Sequence, residues 1–189
     1  MIVDTLLLGE AQPDPVVAWA ANVKKLPPEL QQWEYNPDKA RELLAEAGYP
    51  DGFTLDITPV SGYNYPEVSE AIAQMWELIG VTAKQQVMTY ATIRPQIVNR
   101  TYNQVYSHQH VAVDPLDRWA IAFRAGNAWN FGVDHPILEE LMDKAAGIVD
   151  EDERYAVEAE AARFTYENAL AVGLFAQNLV WPMRANTDP

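Results

Sequence analysis

Two histidines two residues apart, His108 and His110, are followed by Asp114 just before Pro115. On an extended strand alternate residues share a face, so both imidazoles could point the same way, as a metal site would use. Two ligands are too few, and no third His or Cys stands nearby, so no metal is assigned. Asp114 suits a helix cap, with direct ligand contact as the other use. Arg118 and Arg124 carry planar forks that can hold a ligand carboxylate through two bonds; ion pairing at the surface of an acidic protein is the competing use. Trp129 and Phe131 lie beside Asn127 and Asn130, and a cleft for a polar solute combines rings that stack with amides that orient. Trp119 is a core candidate. Tyr63 and Tyr65 sit in a loop that contains Gly62 and follows the first strand, at its carboxyl end. No nucleophile elbow, phosphate loop or metal-binding motif accompanies these residues, and His135 before Pro136 reads as the start of a helix. No catalytic residue and no cofactor follow.

The elements that must position these residues are readable from pattern. Residues 1–9 read as the last turns of a helix stopped at Gly9. From Glu10 to Glu34 four prolines (Pro13, Pro15, Pro27 and Pro28) predict an extended surface strap. Asn36 and Pro37 then suit a helix start and Gly48 its stop, with Ala40, Leu43, Leu44 and Ala47 as an apolar stripe. Turn chemistry at Pro50 to Gly52 leads to an alternating strand from Phe53 to Thr58. Val68, Ala71, Ile72, Met75, Trp76 and Ile79 recur at helical spacing, Val81 to Met88 reads as a strand, and Tyr90 to Asn99 as a helix. A third strand covers about Gln104 to His108. Strand–helix–strand–helix–strand at these lengths predicts parallel strands, whose carboxyl ends are the usual place for a ligand. The later chain reads as helical: about Leu116 to Phe123, then a helix after Pro136 carrying Leu138, Leu141, Met142 and Ala145. The next is capped by Asp150 and runs to about Asn168. Ala171 to Met183 is β-prone and is expected to rejoin the sheet. The carboxylates Glu139, Glu140 and Asp150 to Glu153 read as solvated helix faces.

Composition bounds the function. Hydrophobic residues make up 49% of the 189 and charged residues 21%, as in soluble globular proteins. Thirteen basic residues against 27 acidic ones give a formal charge of -14. That balance argues against nucleic acid, whose backbone needs a basic face, and against anionic lipid. With no cysteine, disulfides, thiol catalysis and Cys-based zinc sites are excluded. No apolar run approaches the ~18 residues of a membrane helix. The first nine residues have no basic leader, so an export signal is expected outside this chain.

The segment from Tyr35 to Phe53, YNPDKARELLAEAGYPDGF, resembles the signature of the peptide/nickel/opine class of ABC-transporter solute-binding proteins, bacterial family 5. The order of later features is also similar to that family. Ile79-Gly80-Val81 ends a helix and opens a strand, and Asp114-Pro115 follows the third strand. Asn130 precedes a helix with Pro136, Leu138 and Leu141, and Asp150, Asp152 and Arg154 open the long helix. Residues Ile2 to Gly9 resemble the helix that precedes this lobe. The resemblance implies an α/β fold, one lobe of a type II periplasmic-binding-protein clamshell, with a mostly parallel sheet flanked by helices. It implies residues 1–34 as a truncated helix and strap, 35–189 as the ligand-binding lobe, and an absent N-terminal lobe of the same protein. Peptide-binding members commonly carry an Asp where this chain has Val111, and that Asp pairs with the ligand's α-amino group; valine cannot make the contact.

The resulting expectation is a binding module without chemistry. It would be the periplasmic or extracytoplasmic substrate-binding component of an ABC importer, carrying a peptide or similar small polar solute to a membrane permease. Its ligand residues are expected among Tyr63, Tyr65, His108, His110, Val111, Asp114, Arg118, Asn127, Trp129 and Asn130. The competing readings are a stand-alone interaction domain derived from the lobe and a small Asp/His hydrolase.

Overall fold

The computed structural model describes residues 2–9, 11–14, 16, 27, 30, 34–62, 65–102, 105–107, 115–128, 130 and 133–177. A short helix α1 (Ile2–Thr5) is followed by left-handed Leu8 and Gly9 and by strand β1 (Ala11–Pro13). Helix α2 (Pro37–Glu46) starts where Asn36 accepts the Lys39 N–H at 2.9 Å and Pro37 takes the first turn, where a missing N–H costs nothing. Strand β2 (Phe53–Pro59), helix α3 (Tyr65–Glu77), strand β3 (Val81–Gln85), helix α4 (Tyr90–Val98) and strand β4 (Val105–Ser107) then alternate.

The three strands form a parallel sheet in the order β3-β2-β4, so β2 is central and its Thr58, Pro59 and neighbouring Val60 are buried. Side chains alternate across a strand. Leu55, Ile57 and Val81 therefore pack with Leu44, Trp76 and Ile79 on one side, while Val60 packs with Ile93 and Ile97 of α4 on the other. The α2 stripe is a correction to expectation: Leu44 alone joins this core, Leu43 is 52% exposed, and no residue of α2 is fully buried. Helical periodicity marks a face, but it does not supply a neighbour for that face.

The larger core lies beyond the sheet, among α5 (Pro115–Phe123), α6 (Pro136–Ala146) and α7 (Glu151–Glu167). Trp119 and Phe123 pack at 5.8 Å between ring centroids, and Leu138, Leu141, Met142 and Ala145 of α6 are all buried with them. Asp150 caps α7 by accepting the N–H groups of Asp152 and Glu153, each at 3.0 Å. Val16 and Leu30 are 1% and 2% exposed in this same core, so the strap does not lie wholly on the surface as its prolines suggested. The last strand also departs from expectation. Strand β5 (Phe175–Gln177) does not rejoin the parallel sheet; it pairs antiparallel with β1, Pro13 opposite Phe175, in a separate two-stranded ribbon.

Candidate functional site

The register of the sheet decides which loops meet. Pro59 of β2 lies beside Ser107 of β4, so the chain leaves both strands side by side at the carboxyl edge. From β2 it runs through Ser61 and Gly62 toward Tyr63 and into α3, whose first residue is Tyr65. From β4 it runs into residues 108–114 and then α5. Ser61 N–H donates to the Met88 carbonyl at 2.8 Å, and Val60 bridges to Met88, which anchors the loop after β2 to the end of β3. Tyr63, His108, His110, Val111, Asp114 and Trp129 lie outside the described residues, as does the side chain of Tyr65.

Asn127 and Asn130 do not gather at that edge. Helix α5 has nine residues, about 13 Å of rise, and Asn127 and Asn130 follow its far end. There the backbone turns, with Asn127 N–H donating to the Arg124 carbonyl and Asn130 N–H to the Asn127 carbonyl, both at 3.1 Å. Asn130, expected as a ligand amide, is 1% exposed. Its Nδ2 donates to the Arg124 carbonyl at 3.0 Å, the Val133 carbonyl at 3.4 Å and Asp134 Oδ1 at 3.2 Å. Asn130 is an internal anchor of the loop between α5 and α6 and not an open ligand contact, because a buried amide must satisfy its donors within the protein.

Charge around that loop is similarly committed. Arg100, left-handed at φ 52° after α4, holds Asp134 through two bonds of 2.9 and 3.1 Å. That pairing and the Asn130 bond hold the Asp134 carboxyl below the usual aspartate range, the Arg100 hydrogen bond being the largest cause. Arg124, considered for a ligand carboxylate, donates to Glu139 Oε2 at 3.3 Å and Asp143 Oδ1 at 2.8 Å on α6. The Ala125 N–H reaches Glu139 Oε1 at 2.5 Å. Glu139 is thereby a partner of the α5 terminus and not only a solvated face. His135 caps α6 as expected, its Nδ1 accepting the Ile137 N–H at 3.3 Å, and its ring packs on Phe164 with centroids 4.6 Å apart.

Arg118 is half-buried one turn into α5, and burial lowers its pKa while Asp14 opposes that shift. Asp14, in a Gln-Pro-Asp-Pro run that reads as surface chain, went unnoticed in the sequence; it is 5% exposed. Burial pushes its carboxyl up to about 7, and the Arg118 charge pulls the other way. Glu158 of α7 was missed too. It is 4% exposed, with Oε1 3.3 Å from Arg154 Nε, and it lines a shallow depression with Leu116, Trp119 and Met142. Among the described residues no group of three or more His, Asp and Glu could hold a metal ion. Nor is any described helix long and apolar enough to cross a membrane.

Residues 1–131 match the family described as bacterial extracellular solute-binding proteins, family 5 Middle. Heme-binding protein A of Haemophilus influenzae is 27% identical over 166 residues, covering 83% of this chain and 29% of that protein. Glutathione-binding protein GsiB of Salmonella typhimurium is 43% identical over 61 residues, 31% of this chain and 12% of that protein. The structure of HbpA2 from Haemophilus parasuis superposes with a TM-score of 0.83 at 25% identity, covering 93% of this chain and 36% of that one. The chain thus spans less than a third of the length of either curated relative. Its α/β fold, with a parallel sheet between helices, is that of the periplasmic binding proteins. With the signature from Tyr35 to Phe53 folded as α2, its turn and the start of β2, and with the family match running through residues 1–131, the chain belongs to the bacterial extracellular solute-binding proteins, family 5.

Proposed function

We propose that this chain is part of the substrate-binding component of an ABC importer and supplies one wall of a ligand cleft without catalysing a reaction. The observation that carries the reading is the family match over residues 1–131. In this reading residues 35–189 form a ligand-binding lobe, residues 1–34 the helix and strap leading into it, and an N-terminal lobe and a membrane permease are the partners. The protein works in the periplasm or outside the cell. The cleft wall is the carboxyl edge of β2 and β4, supported by the side-by-side exit of the two loops after Pro59 and Ser107. Tyr63, Tyr65, His108, His110, Val111 and Asp114 are the ligand residues of that edge. Arg118 supports it from α5, while Asn127, beyond the other end of that helix, and Trp129, two positions on in sequence, contribute only if the ligand is long. Asn130 shapes the loop from inside.

The ligand is a small polar or amphipathic solute of the kind named for the relatives, among which haem and glutathione are bound by the two compared above. Native mass spectrometry of the chain, alone and with haem, glutathione or a dipeptide, tests this. A one-to-one adduct weakened by Tyr65→Ala or His108→Ala is expected for one of the three. No adduct with any probe, in this chain or in one joined to an N-terminal lobe, would overturn the reading. So would turnover of an ester or phosphate substrate.

A further inference from the structure

Asp14 is the one aspartate among the described residues that lies in the interior. It directly follows β1, and its N–H donates to the Leu174 carbonyl across the β1–β5 ribbon at 3.5 Å. Two residues later Val16 enters the core shared with Trp119 and Phe123 of α5. The carboxyl group therefore sits where the ribbon meets the helical layer. Its Oδ1 is buried and has no hydrogen-bond partner among the described residues. Strand β5 carries no ionisable side chain, and Asp4 on α1 and Asp117 on α5 are exposed. The charged group that acts on Asp14 is Arg118 of α5, and the two oppose each other's burial shifts.

We propose that Asp14, opposed by Arg118, is a proton-controlled clasp that seats the β1–β5 ribbon against the helical core. Protonated, Asp14 is neutral and rests in the interior at little cost. Ionised, it must draw water into the interior, because a buried carboxylate with an unmet oxygen is strongly disfavoured. The ribbon then loosens. Burial outweighs the Arg118 attraction, so the native state holds this proton more tightly than the unfolded chain does. Seating is therefore complete in acid and weakens as pH rises toward about 7. The device does not depend on which solute the protein carries. It links two segments distant in sequence to the helix that leads away from the carboxyl edge.

Hydrogen exchange of the chain, corrected for the intrinsic pH dependence and referenced to the β2–β3 amides, tests the clasp between about pH 5 and about pH 9. Ribbon amides at residues 11, 12, 14 and 175–177 should lose at least about tenfold protection between about pH 5 and about pH 7 and level off above it, while the β2–β3 amides hold. Asp14→Asn should stay protected throughout, and Arg118→Gln should move the transition to higher pH. Ribbon protection that does not change with pH, or that falls equally in Asp14→Asn, overturns the proposal. If Asp14→Asn does not fold, carbon NMR of the Asp14 carboxyl in the unaltered chain decides: a midpoint near neutral supports the clasp, and one in the ordinary aspartate range overturns it.

Discussion

Asn130 shows how an amide can look like a ligand contact and act as a girder. Its Nδ2 holds the carbonyls of Arg124 and Val133 and one oxygen of Asp134, with only 1% of the residue exposed. Asn130→Ala removes the donor and leaves buried acceptors unmet, a loss of about 1–3 kcal/mol expected as a lower urea midpoint at unchanged slope. The Arg100–Asp134 pair adds a pH signature. Because Arg100 holds the Asp134 pKa below its ordinary value, the pair's stabilisation is full above the usual aspartate range and is lost as pH falls through the depressed value. Arg100→Ala should therefore destabilise near neutrality and have little effect in strong acid, as read from urea midpoints across pH. Asp14 runs in the opposite sense. Its raised pKa makes Asp14→Asn stabilising near neutrality, by roughly 2–4 kcal/mol at most, with the gain vanishing below the unfolded aspartate pKa.

At the scale of elements, the turn between α2 and β2 is held by a contact that only glycine permits. Gly52 has φ +73°, and a Cβ built there would lie 1.9 Å from the carbonyl oxygen of Gly80 at the end of α3. The rigid backbone of the neighbouring turn cannot give way cheaply. Gly52→Ala should cost about 2–4 kcal/mol in a urea titration, because it combines a disfavoured φ with a backbone clash. The Asp150 cap of α7 is more ordinary. Its side chain satisfies two N–H groups at the helix start, so Asp150→Ala should cost about 1 kcal/mol, seen as a small drop in midpoint.

The whole molecule holds together through a sheet core, with one cluster on each side of β2, and a helical core among α5, α6 and α7 that also takes in Val16 and Leu30. Leu138 is fully buried in the second, and Leu138→Ala should lower stability by about 2–5 kcal/mol. Hydrogen exchange of that variant should show α5–α7 and the strap losing protection together, since they share the cluster. Three of the exposed apolar side chains stand at the opposite end of the sheet from the proposed cleft: Tyr49 and Phe53, with rings 5.0 Å apart, and Leu78, whose carbonyl accepts a bond from Arg41 Nε.

Much of the fold was legible because it is local. Asn36, Asp150 and His135 declare their helices through side chains that reach N–H groups two or three residues away, and the α6 stripe from Leu138 to Ala145 is a matter of spacing. The alternation of strand and helix from Phe53 to Ser107 predicts a parallel sheet, and the pairing of β2 with β3 and β4 is parallel. What the chain order could not decide is which distant segment satisfies which. Phe175 to Gln177 is β-prone by composition, but its partner is Ala11 to Pro13, more than 160 positions earlier. Leu43 and Leu44 are equivalent in the pattern of α2, and only packing against Leu55, Ile57 and Val81 separates the exposed one from the partly buried one. Asp14 belongs to a surface strap in sequence and is an interior acid in space, and Asn130 is a polar loop residue that turns out to be enclosed. Hydrogen-bond satisfaction and charge burial depend on neighbours that folding supplies, and no spacing rule carries that information.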